Sequence, residues 1–131
     1  MNAPTALSHL APEIHQRAVP AELMDALKAR FGACCSTALA VREHHGRDES
    51  AFVAVPPPAA VIFAENTQDV ADAVKLASAH SVPVIPFGVG SSLEGHLLAV
   101  QGGISIDLTR MNKVLSINAE DLTVTVQPGV T

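Results

Sequence analysis

The feature that most constrains the fold of this chain is a strand, helix and strand pattern near its middle. Ala59–Ala64 is a continuous apolar run, as expected for a strand buried on both faces. Asn66 can cap a helix that runs to Ala79, and Asp69 stands where a capping box places its acidic residue. Val82–Phe87 forms a second, short strand. This order predicts a βαβ unit whose strands are parallel neighbours, with the helix packed across them.

Shorter patterns predict the elements that follow. The helix of the βαβ unit carries an apolar stripe at helical spacing. Ile104–Leu108, Val114–Asn118 and Leu122–Gln127 alternate apolar and polar residues and are predicted strands, and a turn at residues 119–121 joins the last two as a hairpin. The residues of the apolar stripe are Val70, Ala73, Val74 and Ala77.

The residues before the βαβ unit predict a loose lead over residues 1–19 and then a short helix. Pro20 can occupy its first position and Gly32 can end it. Its apolar positions recur at four-residue spacing, which favours burial of one face. These positions are Leu23, Leu27 and Phe31.

A polar stretch over residues 41–50 contains two adjacent histidines, His44 and His45. Such a pair could suggest a metal site. Side chains at adjacent positions point apart, however, and no third ligand is placed nearby. The stretch is therefore predicted to be a solvated connector without a metal.

Composition excludes several classes of function. The net charge of −5 and the four aromatic residues, all Phe, argue against a nucleic-acid partner. The apolar runs are too short for a transmembrane helix, and the N-terminus does not have the pattern of a secretory signal. Cys34 and Cys35 are adjacent and are predicted to be small, partly buried free thiols. A reducing, cytoplasmic location is expected, and peripheral association with the inner membrane stays open.

The most informative segment is a glycine-rich loop, Pro86-Phe-Gly-Val-Gly-Ser-Ser-Leu-Glu-Gly-His96, directly after the second strand. Ligand loops of α/β folds lie at this end of a parallel strand. The three glycines are expected to permit positive φ angles and close approach, successive N–H groups can cradle an anion, and Ser91 and Ser92 add hydroxyl donors. The loop predicts a phosphate or pyrophosphate site, and an ordinary turn of small residues is the alternative.

Two common phosphate loops do not match this segment. Gly90 and Gly95 have the spacing of a Walker A motif, but His96 stands where the motif requires Lys. Gly88 and Gly90 begin like a dinucleotide fingerprint, but the third glycine comes five residues later rather than three. An ATPase and a Rossmann domain are therefore not predicted.

The region from Ala59 to Thr131 carries five motifs in register. Together they resemble the first half of the FAD-binding domain of the vanillyl-alcohol oxidase/p-cresol methylhydroxylase (PCMH) superfamily. Within it, the chain is most similar to the D-lactate dehydrogenase and glycolate oxidase flavoprotein subunit group, which the polar Gly46–Ser50 segment also fits. The motifs are Asn66-Thr-Gln-Asp-Val70, Val82-Pro-Val-Ile-Pro86, Gly88-x-Gly90-Ser-Ser-Leu-Glu-Gly95-His96, Gly102-Gly-Ile-Ser-Ile-Asp-Leu-Thr-Arg-Met-Asn112 and Val124-x-Val-Gln-Pro-Gly-Val130.

The resemblance implies which residues touch the cofactor. Many relatives have Arg at the position of Phe87, so one phosphate cation is absent there. Relatives with covalent flavin carry His directly after a Gly-Gly pair, whereas Ser91 follows Gly90 here, so non-covalent FAD is expected and His96 is interpreted as structural. No catalytic residue and no metal ligand is predicted. The implied FAD contacts are Pro86, Phe87, Gly88, Val89, Gly90, Ser91, Ser92 and Gly95.

The resemblance also implies the architecture and the activity. We expect an α+β fold: a helical arm and connector over residues 1–53, then the first part of a PCMH-type FAD-binding domain over residues 54–131, with a βαβ unit and a hairpin. The implied activity is FAD-dependent oxidation of D-lactate or a similar 2-hydroxy acid, which would bind through a C-terminal part missing here. The alternatives are a glycolate oxidase subunit, an alkylglycerone-phosphate synthase-like protein, or a remnant without catalysis.

Overall fold

The computed structural model describes residues 14–49 and 55–131. These residues form a small mixed sheet, helices packed against it, and a separate hairpin. A short 3-10 turn, Gly32–Cys34, follows the first helix. The helices are α1 (Ala21–Phe31), α2 (Leu39–His45) and α3 (Thr67–Ala79), and the strands are β1 (Cys35–Ser36), β2 (Ala60–Phe63), β3 (Val84–Phe87), β4 (Ile104–Asp107), β5 (Val114–Asn118) and β6 (Thr123–Val126).

The four-stranded sheet has the order β1-β2-β4-β3. Both β2 and β3 pair with β4 in parallel, so the predicted strands of the βαβ unit run in the same direction. The prediction that they are neighbours is wrong, because β4 lies between them. All four residues of β4 are buried, which is the burial expected of a central strand covered on both faces.

Helix α3 begins with the predicted cap. The Asn66 side chain accepts a hydrogen bond from the Asp69 backbone N–H at 3.0 Å. The Asp69 carboxylate returns a bond one residue earlier than a capping box would, to the N–H of Glu65 at 3.1 Å. Of the predicted apolar stripe, Ala73 and Ala77 are buried, Val70 is half-buried, and Val74 is 43% exposed.

Helix α1 packs into the same core as the sheet. Leu23, Leu27 and Phe31 are buried in one cluster with Ala73, Ala77 and the apolar residues of β2 and β4, as their spacing predicts. The helix ends at Gly32, whose φ of 51° favours glycine. Arg30 links this helix to α3 through Asp69 and Asp72, at 3.0 and 2.8 Å.

The predicted arm is better packed than expected. Gln16 donates hydrogen bonds to the carbonyl oxygens of Pro56 and Ala99, so the end of the predicted lead crosses the sheet region. The rest of that lead, residues 1–13, lies outside the described residues, as does the predicted domain boundary between residues 53 and 54. The division into arm and domain therefore stays a prediction.

The connector prediction, made for residues 41–50, is wrong over residues 41–45, which belong to helix α2. His44 is exposed, but the side chain of His45 points inward and is 4% exposed. The two rings stand edge to face with their centroids 5.3 Å apart, and the ring of His45 finds a buried acceptor. Cys34 and Cys35 are free and half-buried, which confirms their prediction.

The predicted hairpin is confirmed. Strands β5 and β6 pair antiparallel, with an irregularity between Val114 and Ser116. Every residue of both strands is exposed, including Ile117 at 70%. None of the described helices is long and apolar enough to cross a membrane.

Candidate functional site

The glycine-rich loop leaves β3 at the carboxyl end of the parallel strands. It borders an open pocket of about 300 Å³. Six of the eight predicted contact residues line this pocket, whereas Phe87 is buried beneath the loop and Gly95 lies outside the lining. The lining residues are Pro86, Gly88, Val89, Gly90, Ser91, Ser92, His96 and Leu97.

The glycines of this loop differ in backbone conformation and in the space beside them. Gly90 and Gly95 have φ angles of 77° and 75°, as expected. Gly88 does not use the positive φ that glycine permits, because the tight turn is made at Gly90. Among the described residues, a Cβ atom on Gly88 would meet no atom within 4 Å, which agrees with the second expectation, close approach to the backbone. A Cβ atom on Gly90 would lie 3.1 Å from the Phe87 ring.

Residues 88–92 of the loop carry several hydrogen-bond donors. Within residues 14–49 and 55–131, the backbone N–H groups from Gly88 to Ser92 have no hydrogen-bond acceptor. The Ser92 hydroxyl pairs with His96 Nδ1 at 3.1 Å, and the Ser92 carbonyl accepts from the N–H of Glu49 at 2.9 Å. Neither Lys nor Arg lines the pocket. The loop therefore offers neutral donors, which suit an anion held by backbone amides.

A buried hydrogen-bonded pair of a histidine and an aspartate lies beneath the loop, and sequence reasoning missed it. His45 Nε2 is 2.7 Å from Asp107 Oδ2, and both side chains are 5% exposed. The His45 ring also lies 4.2 Å, between centroids, from the ring of Phe87. One signal was available in the sequence: a carboxylate within the apolar strand Ile104–Asp107 requires a partner when it is buried.

The Asp107 carboxylate is well satisfied. Burial raises the pKa of Asp107, but hydrogen bonds from His45 and Thr109 act in the opposite direction and together hold it below its usual value. Thr109 contributes its N–H at 2.8 Å and its hydroxyl at 2.6 Å, both to Oδ1. The end of β4 is thus fixed as a carboxylate rather than left to titrate near neutral pH.

A second open pocket, of about 350 Å³, adjoins the loop on the side of α2. It brings His44 and Arg47 near Gly90, but three carboxylates line it as well. Its charge does not favour an anion, so the phosphate prediction stays with the first pocket. Its lining residues are Ala40, Glu43, His44, Arg47, Asp48, Glu49, Phe87, Val89 and Gly90.

Comparison with known proteins identifies the domain. The family described as "FAD binding domain" matches residues 58–131, more than half of the chain. The chain belongs to this family. Its cofactor is FAD, and its relatives are oxidoreductases.

Two curated relatives are D-lactate dehydrogenases by name. The chain is 44% identical over 96 residues to "Probable D-lactate dehydrogenase, mitochondrial" from Danio rerio, and this match covers 73% of the chain and 19% of the relative. It is 35% identical over 113 residues to "D-lactate dehydrogenase [cytochrome], mitochondrial" from Arabidopsis thaliana, a match that covers 86% of the chain and 20% of the relative. The chain therefore spans about a fifth of the length of these relatives.

Solved structures confirm the predicted α+β fold of the PCMH type. An alkyldihydroxyacetonephosphate synthase aligns with a TM-score of 0.73 at 27% identity, over 90% of this chain and 24% of that one. A p-cresol methylhydroxylase with substrate bound aligns with the same TM-score at 23% identity, over 88% of this chain and 24% of that one. At this identity the alignment is evidence for the shared fold only.

The loop fits the cofactor of this family. A pyrophosphate needs several convergent donors and close access to the backbone, and a run of unpaired N–H groups beside the bare face of Gly88 offers both. Ser91 is exposed and adds a hydroxyl. The absence of a cation in the lining means that neutral donors from this chain would have to carry the phosphate contact.

Proposed function

We propose that this chain supplies the pyrophosphate-binding part of an FAD-dependent dehydrogenase that oxidises D-lactate or a similar 2-hydroxy acid. The residues proposed to contact FAD are Pro86, Phe87, Gly88, Val89, Gly90, Ser91, Ser92 and Gly95. The observation that carries the proposal is the bare face of Gly88, which is open, among the described residues, beside backbone N–H groups that have no acceptor there.

These residues would have different roles in FAD binding. The N–H groups from Gly88 to Ser92 would donate to phosphate oxygens, and the Ser91 hydroxyl would add a donor. Phe87, 3% exposed, supports the loop from below rather than touching phosphate directly. Pro86 and Val89 would shape the walls of the pocket. In such enzymes, bound FAD accepts the hydride, and the protein holds and orients it.

We propose that FAD is bound without a covalent link. His96 pairs with Ser92 at 3.1 Å, which favours a role in shaping the loop. Acid precipitation of the FAD-loaded protein should therefore release all flavin into the supernatant. Flavin that stays with the precipitated chain would contradict this part of the proposal.

The substrate class rests on the names of the relatives. Two of them, at 44% and 35% identity, are D-lactate dehydrogenases. The alkyldihydroxyacetonephosphate synthase, at 27% identity over 90% of the chain, supports an alternative in the alkylglycerone-phosphate synthase group. Either substrate would bind through parts beyond this fifth of a family-length protein, so no catalytic residue is assigned here.

Blocking the bare face of Gly88 tests the binding proposal. Gly88→Val places a side chain in space that no protein atom occupies, without the backbone strain that a positive φ would add. Leu93→Val is the matched control, because Leu93 is 65% exposed in the same loop and does not line the pocket. Equilibrium dialysis of FAD against the 131-residue chain measures the dissociation constant of each variant.

We expect Gly88→Val to weaken FAD binding at least about tenfold, equivalent to ~1.4 kcal/mol, with the circular dichroism spectrum unchanged. Leu93→Val should match the unsubstituted chain. If Gly88→Val binds FAD as well as Leu93→Val does, the loop is not the pyrophosphate site.

A further inference from the structure

Both nitrogen atoms of the His45 ring face hydrogen-bond acceptors. Nδ1 lies 2.8 Å from the carbonyl oxygen of Val41, and Nε2 lies 2.7 Å from the Asp107 carboxylate. A carbonyl oxygen can only accept, so Nδ1 carries a proton. Nε2 meets a carboxylate whose other oxygen, Oδ1, already accepts two bonds from Thr109. The buried His45 ring is therefore held at both of its nitrogen atoms.

The His45 ring connects the central strand to the glycine-rich loop through one further aromatic ring, that of Phe87. The His45 and Phe87 ring centroids are 4.2 Å apart, with the planes inclined at 43°. The far end of the Phe87 ring lies 3.1 Å from where a Cβ of Gly90 would stand. Contacts therefore run from Asp107 through His45 and Phe87 to Gly90, the residue that makes the turn of the loop.

The surroundings of His45 supply no competing charge. Strand β4 presents Asp107, while β2 and β3 present the uncharged rings of Phe63 and Phe87. On its own helix, His44 stands edge-on at 5.3 Å and is exposed. The position of the His45 ring is thus set by its two hydrogen bonds rather than by other ion pairs among the described residues.

We infer that His45 is a positioning residue for the cofactor loop: held by Val41 and Asp107, its ring fixes Phe87 beneath Gly90. The consequence for FAD rests on the proposed function, but the position of Phe87 does not. The helix before the FAD-binding domain thereby acts on the cofactor site without touching the cofactor.

Nuclear magnetic resonance of the 131-residue chain tests the geometry without flavin. Nitrogen-15 spectra should show that Nδ1 of His45 carries the proton it donates to the Val41 carbonyl. Because the Gly90 backbone faces the edge of the Phe87 ring, an α-proton of Gly90 should be displaced by its ring current. An unprotonated Nδ1, or a Gly90 α-proton without this displacement, would overturn the inference in the unsubstituted chain, whether or not any variant folds.

His45→Gln tests the consequence. Gln can still donate to Asp107 but has no ring to support Phe87, so the ring-current displacement at Gly90 should shrink and the FAD dissociation constant should rise about tenfold. His80→Gln, the same substitution at an exposed histidine at the end of α3, is the matched control and should change neither. If His45→Gln keeps both the displacement and the affinity, the inference is wrong. If the unsubstituted chain does not bind FAD, but His45→Gln still removes the displacement at Gly90, the proposed function is wrong and the positioning role is supported.

Discussion

Two glycine-containing regions of this chain serve opposite purposes. At the entry to β4, a Cβ atom on Gly103 would lie 2.3 Å from the carbonyl oxygen of Pro83, and one on Gly102 would lie 2.7 Å from that of Arg17. In the loop after β3, a Cβ atom on Gly88 would meet nothing within 4 Å. The protein's own backbone occupies the space at the first region, and no protein atom occupies it at the second.

The difference separates folding from binding. Glycine at the entry to β4 lets two segments of backbone approach each other, so its loss should be measured as lost stability. Glycine at position 88 lets something other than this chain approach the backbone, so its loss should be measured as lost binding. The sequence shows the same residue type in both places, and only the surrounding atoms distinguish the two roles.

The largest effect is expected at Gly103. Gly103→Ala would force the Pro83 backbone to move and would place a side chain at a φ of 111°. Ala at such an angle is destabilising even without a clash. We expect the free energy of unfolding, from urea titration followed by circular dichroism, to fall by about 3 kcal/mol or more. Gly88→Ala is the control and should stay within about 0.5 kcal/mol of the unsubstituted chain; similar losses for both would erase the distinction.

The next largest effect extends the comparison to side chains. Asp107→Ala leaves the buried His45 ring without its partner, which should cost about 1–3 kcal/mol. Asp72→Ala also removes a carboxylate that pairs with a basic side chain, Arg30, but that pair is largely solvated, so the loss of unfolding free energy should be clearly smaller. Equal losses of unfolding free energy in the two variants would show that the buried pair does not support the site.

Gly90→Val should combine both kinds of effect. Its φ of 77° disfavours a β-branched residue, and the Phe87 ring lies 3.1 Å from the added Cβ. We expect a loss of about 1–2 kcal/mol in stability together with loss of flavin retention in the longer protein of family length. The flavin absorbance of the purified protein reports retention. A variant that purifies with stoichiometric FAD would contradict the assignment of the loop.

A smaller effect should appear in acid. Because hydrogen bonds hold the pKa of Asp107 below its usual value near 3.9, the unfolded chain takes up this proton at a higher pH than the folded chain. The contribution of Asp107 is thus fully present above the usual pKa and is lost as the pH falls through the lowered one. Urea titrations between about pH 5 and pH 2 should show a shallower decline in Asp107→Asn than in the unsubstituted chain. Parallel declines would mean that Asp107 is not the group being titrated.

The last prediction is that the 131-residue chain by itself shows no dehydrogenase activity. Oxidation of a 2-hydroxy acid needs a base for the hydroxyl proton and a substrate held near the flavin, and no residue here is assigned either task. With FAD and D-lactate or glycolate added, the 131-residue chain should reduce an artificial electron acceptor no faster than free FAD does. Turnover above that control would show that catalytic groups lie within this chain.

Local patterns predicted the elements well where one chemical rule decides the outcome. The Asn66 cap, the burial of Leu27 and the β5–β6 hairpin all follow from short-range spacing. Strand order did not follow, because the strand between β2 and β3 comes from residues 104–107, later in the sequence. A local pattern cannot show which later strand will occupy a gap in the sheet.

The sequence predicted the glycine-rich loop of the site but not the residues that pack beneath it. The glycines and serines of residues 88–95 indicated an anion cradle by composition alone. The role of His45 depends on Asp107, 62 residues away, so its polar neighbours in the sequence favoured a solvated connector instead. Both reasons for glycine, a positive φ and close approach to the backbone, were expected for the whole loop, and only the structure shows that Gly90 uses the first and Gly88 the second.

The central claim is that the N–H groups from Gly88 to Ser92 hold the pyrophosphate of FAD. Amide resonances of the nitrogen-15-labelled chain, titrated with FAD and separately with riboflavin, test it directly because riboflavin has the flavin ring but no phosphate. We predict that FAD shifts the resonances from Gly88 to Ser92 while riboflavin leaves them in place, and that the exposed β5–β6 hairpin is unaffected by either. Equal shifts with riboflavin, or FAD-induced shifts confined to residues outside this loop, would contradict the account.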